Sequence, residues 1–185
     1  MKNILLAVLA ILAILLVACT DDAKDTWEDY RDWRDANNEW LEEQAALKNA
    51  DGTPYYDRVE DPSNSLGYVL MRYINDRTET EGNYQPMSTS KVNVRYHVSL
   101  YDGEGVDSSD LQTSWGPGIF QTVLNTGIIQ GWTVAVCEMR VGDTAEVIMP
   151  YNMAYGMSGS SNIPPYSNLR FNIRLVDIVN YETRP

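Results

Sequence analysis

The chain has 185 residues, a formal charge of −12, two cysteines and a single histidine. That length suits one domain with appendages, and the charge opposes binding to nucleic acid or to bare anionic lipid. With only His97 available, neither a Ser-His-Asp triad nor a multi-histidine metal site can be assembled, and no glycine-rich phosphate loop with its lysine is present.

Residues 1–18 read as a signal segment. Lys2 supplies the positive start and Ile4 to Val17 is an unbroken apolar run, short for a membrane span and suited to a signal core. Leu16-Val17-Ala18-Cys19 resembles a bacterial lipobox, which implies a lipid on Cys19 and a chain held on a membrane of the cell envelope without crossing it. The outer membrane is the expected place, with its face left open. Loss of Lys2 with the signal makes the charge one unit more negative. Once Cys19 carries lipid, Cys137 has no partner for an intramolecular disulfide, so the domain must hold together by its core. Cys137 itself reads as a small packed hydrophobe rather than a nucleophile.

Residues 19–65 form the next region, an acidic tether followed by an amphipathic helix. Asp21 and Asp22 resemble the acidic signals of some Bacteroidetes-type lipoproteins, and they also suit a plain solvated spacer. Asp25 or Thr26 can cap a helix from Trp27 to Lys48, on which Trp27, Tyr30, Trp33, Trp40, Leu41, Ala45 and Leu47 mostly keep helical spacing. This face could pack on the following domain, form a stalk, or dock a second copy as a homodimer.

The remaining chain, 66–185, reads as one domain. Leu66 to Ile74 is β-branched and aromatic enough for a strand, and Asn75 to Ser90 is a polar connection. Val92, Val94, Tyr96, Val98 and Leu100 alternate with polar residues, which predicts a half-buried strand with Tyr96 inward and His97 outward. A turn at Asp102-Gly103 leads to Val106-Asp107-Ser108-Ser109. Asp110 to Gly118 is a polar loop, after which Ile119 to Leu124 rejoins the sheet.

Residues 128–150 then read as a short helix entered through Gly131-Trp132, a turn at Val141-Gly142-Asp143, and a strand stopped by Pro150. Trp132, Ala135, Val136 and Met139 fall at i, i+3, i+4 and i+7, the spacing of one buried face. A long loop containing Tyr155 and Ile163-Pro164-Pro165 follows, and Leu169, Phe171, Ile173 and Leu175 alternate in a closing strand.

Six pieces in this order carry a family resemblance: Ile128-Ile129-x-Gly131-Trp132, Met139-Arg140-Val141-Gly142-Asp143, Ile148-Met149-Pro150, Ala154-Tyr155-Gly156, Ile163-Pro164-Pro165 and Leu169-x-Phe171. Together they resemble the catalytic domain of FKBP-type peptidyl-prolyl cis-trans isomerases over Val92 to about Val179. The resemblance implies an α+β fold, an antiparallel, strongly curved sheet wrapped around one short helix, preceded here by the N-terminal helical stalk. It implies action on proline-containing peptides or proteins, with no cofactor and no metal. By the same resemblance Trp132 would floor the pocket, Tyr155 would donate its hydroxyl to a substrate carbonyl, and Asp107 would accept a hydrogen bond at the rim. Tyr96, Val106, Ile128, Ile129, Ile163 and Phe171 would bind substrate, with the Ile129 backbone N–H as a second donor.

Three departures bear on activity. Val106 stands where the family usually has phenylalanine, the loop before Ile119 lacks a clear pocket aromatic, and the flap from Tyr155 to Pro164 is about one residue short. Two functional readings follow: a lipid-anchored isomerase that assists folding of extracytoplasmic proteins, or a catalytically weak binding or chaperone module of the envelope.

Overall fold

The computed structural model describes residues 26–179, so the signal segment, Cys19 and most of the acidic tether lie outside the described residues. Residues 26–32 belong to a unit separate from the rest of the chain, and within them Arg31 pairs with Glu28. The elements that follow are α1 (Arg31–Ala46), β1 (Asp57–Asp61), β2 (Asn64–Tyr73), β3 (Lys91–Ser99), β4 (Gly105–Ser108), β5 (Phe120–Val123), α2 (Gln130–Glu138), β6 (Thr144–Met149) and β7 (Leu169–Ile178).

The strands join in the order β1-β2-β6-β7-β3-β4, with β5 also pairing β3, and every pairing is antiparallel. The two strands with the clearest alternation lie side by side: Tyr96 opposes Ile173 and Val98 opposes Phe171. Period two then sends Val92, Val94, Tyr96, Val98, Leu169, Phe171, Ile173 and Leu175 to one face, where all are buried. Helix α2 covers that face, and Trp132, Ala135, Val136 and Met139 are each buried in the shared core. The expected curved antiparallel sheet around one short helix is therefore the observed architecture.

Only glycine fits at the entry to α2. A Cβ on Gly131 would stand 2.7 Å from the Met149 sulfur and 3.0 Å from the Met153 carbonyl oxygen, so the first turn lies directly on the end of β6. This close approach sets the depth of Trp132.

The turn before β6 is held by Asp143, which is fully buried. Thr80 Oγ1 donates to its carboxylate at 2.6 Å, the Arg140 N–H at 2.8 Å and Asn75 Nδ2 at 3.2 Å, with the Arg77 guanidinium 3.3 Å away. Burial alone would raise its pKa; these donors and Arg77 outweigh burial and keep the carboxyl below the usual carboxylate value.

Two expectations need correction. The sheet starts upstream of Leu66, because Asp57–Asp61 pairs with β2; its Asp-Arg-Val-Glu-Asp sequence has the charge of an edge strand and little of the alternation that reveals an inner one. The helix expected from Trp27 to Lys48 is helical over residues 26–29, breaks at Tyr30 and continues as α1 to Ala46, and its buried line is mixed rather than apolar. Asn37 is 0% exposed and Arg34 is buried, whereas Trp27, Ala45 and Leu47 stand exposed. Trp40 and Leu41 pack with Tyr56, Leu70 and Ile148 on the sheet face opposite α2, and Trp33 packs against the main core. Much of the surface expected for docking a second copy is thus turned onto the chain's own domain.

Candidate active site

The side chains on the concave face do not fill it completely. Beside Trp132 they leave a cavity of about 460 Å³, and all nine residues singled out from the sequence line it: Tyr96, Val106, Asp107, Ile128, Ile129, Trp132, Tyr155, Ile163 and Phe171. They come from β3, β4, the loop into α2, α2, the β6–β7 connection and β7, so folding alone brings them together.

The base is an aromatic cluster set edge to face. Trp132, 3% exposed, meets Tyr96 at 5.3 Å and Phe171 at 5.7 Å between ring centroids, with both ring pairs at 87°. Such contacts fix the rings beyond their area burial, by about 0.5–1.5 kcal/mol per pair. The indole face is held rigidly while one side of the cluster stays open.

Phe120 completes the cluster, 5.6 Å from Tyr96 and 6.1 Å from Trp132. It supplies the aromatic that the loop before Ile119 had been expected to lack, one residue later and on β5. The sequence signal was its pairing potential: Phe120 opposes Val94 on β3, but a four-residue strand after a polar loop gives too little periodicity to assign its face. Gln112, Ser160, Ser161 and Asn162 also line the cavity and had no motif to mark them.

Polar groups sit at the rim. The Tyr96 hydroxyl donates to Asp107 Oδ2 at 2.6 Å, and Asp107 Oδ1 accepts the Ser108 N–H at 2.8 Å. Burial, then the bond to Asp107 and its charge, push the Tyr96 phenol well above its usual pKa. Tyr155, 39% exposed, has its pKa raised by burial and then by the Asp107 charge, and its hydroxyl has no partner among the described residues. It therefore stays protonated at neutral pH and is free to donate. Ile129 occupies the position before α2 with no side-chain cap, and it lines the cavity.

The flap owes its shape to Gly159 at φ +67°, where a Cβ would come 2.3 Å from the Ile163 carbonyl oxygen. Reciprocal backbone bonds between Ser160 and Ile163, at 2.8 and 2.9 Å, close the tip and place Ile163 over the cavity. Val106 is half-buried and also borders a second hollow shared with His97, Arg170 and Asn172. Val98, Val106 and Asp107 line both hollows and stand between them.

His97 faces outward, 2.8 Å from Asp110, and takes no part in the cavity. Cys137 is half-buried against the core, and burial, then the Glu138 charge, push its thiol up to about 11, which leaves little thiolate.

Residues 82–176 match the family model for FKBP-type peptidyl-prolyl cis-trans isomerases, and the chain belongs to that family. Among curated relatives, a macrophage infectivity potentiator of Trypanosoma cruzi is 38% identical over 98 residues, which cover 52% of this chain and 47% of that protein. The FKBP-type peptidyl-prolyl cis-trans isomerase FkpA of Escherichia coli is 29% identical over 144 residues, covering 75% of this chain and 49% of the relative. The chain thus spans about half the length of these curated relatives. The crystal structure of FkpA superposes with a TM-score of 0.64 at 22% identity, covering 96% of this chain and 72% of that one. A peptidyl-prolyl cis-trans isomerase from Pseudomonas syringae gives 0.59 at 24% identity, with 80% and 95% covered. At those identities the likeness speaks for the fold.

Proposed function

We propose that this chain is a peptidyl-prolyl cis-trans isomerase that acts on proline-containing segments of extracytoplasmic proteins while held to the cell envelope by lipid on Cys19. One observation carries the enzymatic part: an open cavity with an aromatic floor at Trp132 and, at its polar rim, a phenol with no partner among the described residues.

The barrier to rotating an amide, about 18–20 kcal/mol, comes from resonance that is lost as the bond twists. A twisted amide has less charge separation than the planar one, so a dry apolar cavity favours the twisted form over the ground state. In this role Trp132 supports the proline ring, and Tyr96, Phe120, Phe171 and Ile163 exclude water around it. Tyr155 and the Ile129 N–H donate to carbonyls of the substrate. Asp107 holds Tyr96 by its hydroxyl and orients that wall. A thousandfold acceleration needs roughly 4 kcal/mol, and a single neutral hydrogen bond contributes about 0.5–1.5 kcal/mol. Most of the effect must therefore come from shape and dryness.

A protease-coupled assay on short Xaa-Pro peptides tests the catalytic reading: acceleration proportional to enzyme concentration is expected. Absence of acceleration at high concentration would favour the binding module instead, for which valine at position 106, where the family usually has phenylalanine, and the acidic surface are the motivating features. The anchor is tested by fractionating a bacterial host that expresses the full chain and its Cys19→Ser variant. Wild type should appear with membranes and the variant should not; equal partition would remove the lipid from the account.

A further inference from the structure

Helix α1 lies outside the cavity, yet its most buried side chain is bonded to the strand end that carries the flap. Asn37 Oδ1 accepts the Asn168 N–H at 2.8 Å, and the Asn37 backbone carbonyl accepts from Asn168 Nδ2 at 2.6 Å. Asn168 Oδ1 in turn accepts the Tyr151 N–H at 2.8 Å, and Asn37 Nδ2 donates to the Trp33 carbonyl at 2.9 Å. Both asparagines are 0% exposed, so each of these amide groups would be left without water if its partner were removed. One turn earlier, Trp33 Nε1 donates to Ser167 Oγ at 3.1 Å, and Ser167 Oγ donates to the Pro164 carbonyl at 2.7 Å.

Between these anchors the backbone is in a conformation that needs support. Tyr166 is buried with φ 62°, a left-handed setting rarely held by an aromatic residue. Its N–H donates to the Gly156 carbonyl at 3.0 Å, which ties the segment to the turn carrying Tyr155, and its ring stands edge-on to Tyr151 at 5.5 Å. Ile163 and Tyr155, the two flap residues that overhang the cavity, are thus each one or two bonds from α1.

We infer that α1 is a positioning element for the active-site flap, with Asn37 as the residue that sets where Ile163 and Tyr155 stand over bound substrate. Asn37 touches no substrate; it acts through Asn168, Ser167 and the Tyr166 turn. This rests on the isomerase reading for its consequence, although the brace itself is a property of the fold. Loosening the brace removes neither Ile163 nor Tyr155, so the closed, dry arrangement is still reached once substrate is bound; the cost of closing the flap falls on KM rather than on kcat.

The test uses Asn37→Ala and the milder Trp33→Phe, with Glu43→Gln on the exposed side of α1 as control, each in the full chain. Asn37→Ala should raise KM for a short Xaa-Pro peptide roughly five- to tenfold with kcat per folded molecule within about twofold. Trp33→Phe should raise it about twofold, in keeping with loss of one hydrogen bond and no ring. Hydrogen exchange supplies a readout that needs no activity. Amides of residues 156–168 should lose protection by about tenfold in Asn37→Ala while those of β3 and β7 keep theirs. Unchanged KM and unchanged flap exchange would overturn the inference. So would a uniform loss of protection with a lower active fraction and the wild-type KM, since that is what a merely structural helix gives. If wild type proves inactive, the isomerase reading fails while the exchange arm still decides the brace.

Discussion

Replacing Val106 by phenylalanine should raise the proposed isomerase activity. Val106 packs on the edge of the core and, with Val98 and Asp107, borders both the cavity of about 460 Å³ and an adjoining hollow of about 500 Å³, so a larger ring there has open space to enter. The ring would cover roughly 40 Å² more apolar surface than valine, which at about 25 cal/mol per Å² is about 1 kcal/mol. Spent on excluding water from the twisted amide, that is roughly fivefold in kcat/KM. The assay is the protease-coupled rate on one Xaa-Pro peptide for wild type and Val106→Phe at matched folded concentration. Thermal unfolding should move by no more than a few degrees, because the position is only half-buried. An unchanged or lower kcat/KM in a variant that folds normally would refute the idea that dryness at this wall limits the rate.

Other expectations follow from the same geometry. Tyr155→Phe removes one hydroxyl donor and should lower kcat/KM about two- to tenfold, measured in the same assay; a thousandfold loss would mean the phenol does far more than donate one bond. Activity should be flat from about pH 6 to 9, since the Tyr96 and Tyr155 phenols are both raised above their usual values and stay protonated there, and His97 lies outside the cavity. A rate profile with a midpoint near neutrality would contradict this. Asp143 has its pKa lowered in the fold, so its contribution to stability is fully present above the unfolded carboxylate value and is lost as pH falls through the lower folded one. Asp143→Asn should accordingly cost about 2–3 kcal/mol at pH 7, and less in acid, by denaturant melts.

The parts of the fold that could be read in the sequence are those where one face is buried and the other wet. Tyr96, Phe171 and Trp132 announce themselves because period two in β3 and β7 and the helical spacing in α2 match the faces they fill. β1 escaped because an edge strand of five residues rich in charge has no such contrast. The docked face of α1 escaped for a different reason. It packs partly on a turn rather than on a sheet, and a turn presents backbone N–H groups that an asparagine satisfies better than a leucine does. Trp33 and Trp40 were visible as a stripe, but the residue between them that matters most, Asn37, looks on its own like a solvated position.

The site was legible where the chain's order of motifs is local and opaque where a loop supplies the residue. Phe120 follows a polar stretch whose length sets which way it faces, and Ser160 to Asn162 reach the cavity only because Gly159 lets the flap fold sharply back on Ile163. Neither fact can be had from residue type alone.

The most direct test is the rate at which the cis and trans forms of a short Xaa-Pro peptide interconvert, followed by exchange NMR without a coupling protease. Catalytic amounts of the full-length chain should speed that interconversion, and filling the Trp132 cavity with a saturating apolar ligand should abolish the effect. Interconversion at the uncatalysed rate, or acceleration that persists with the cavity filled, would contradict the isomerase reading.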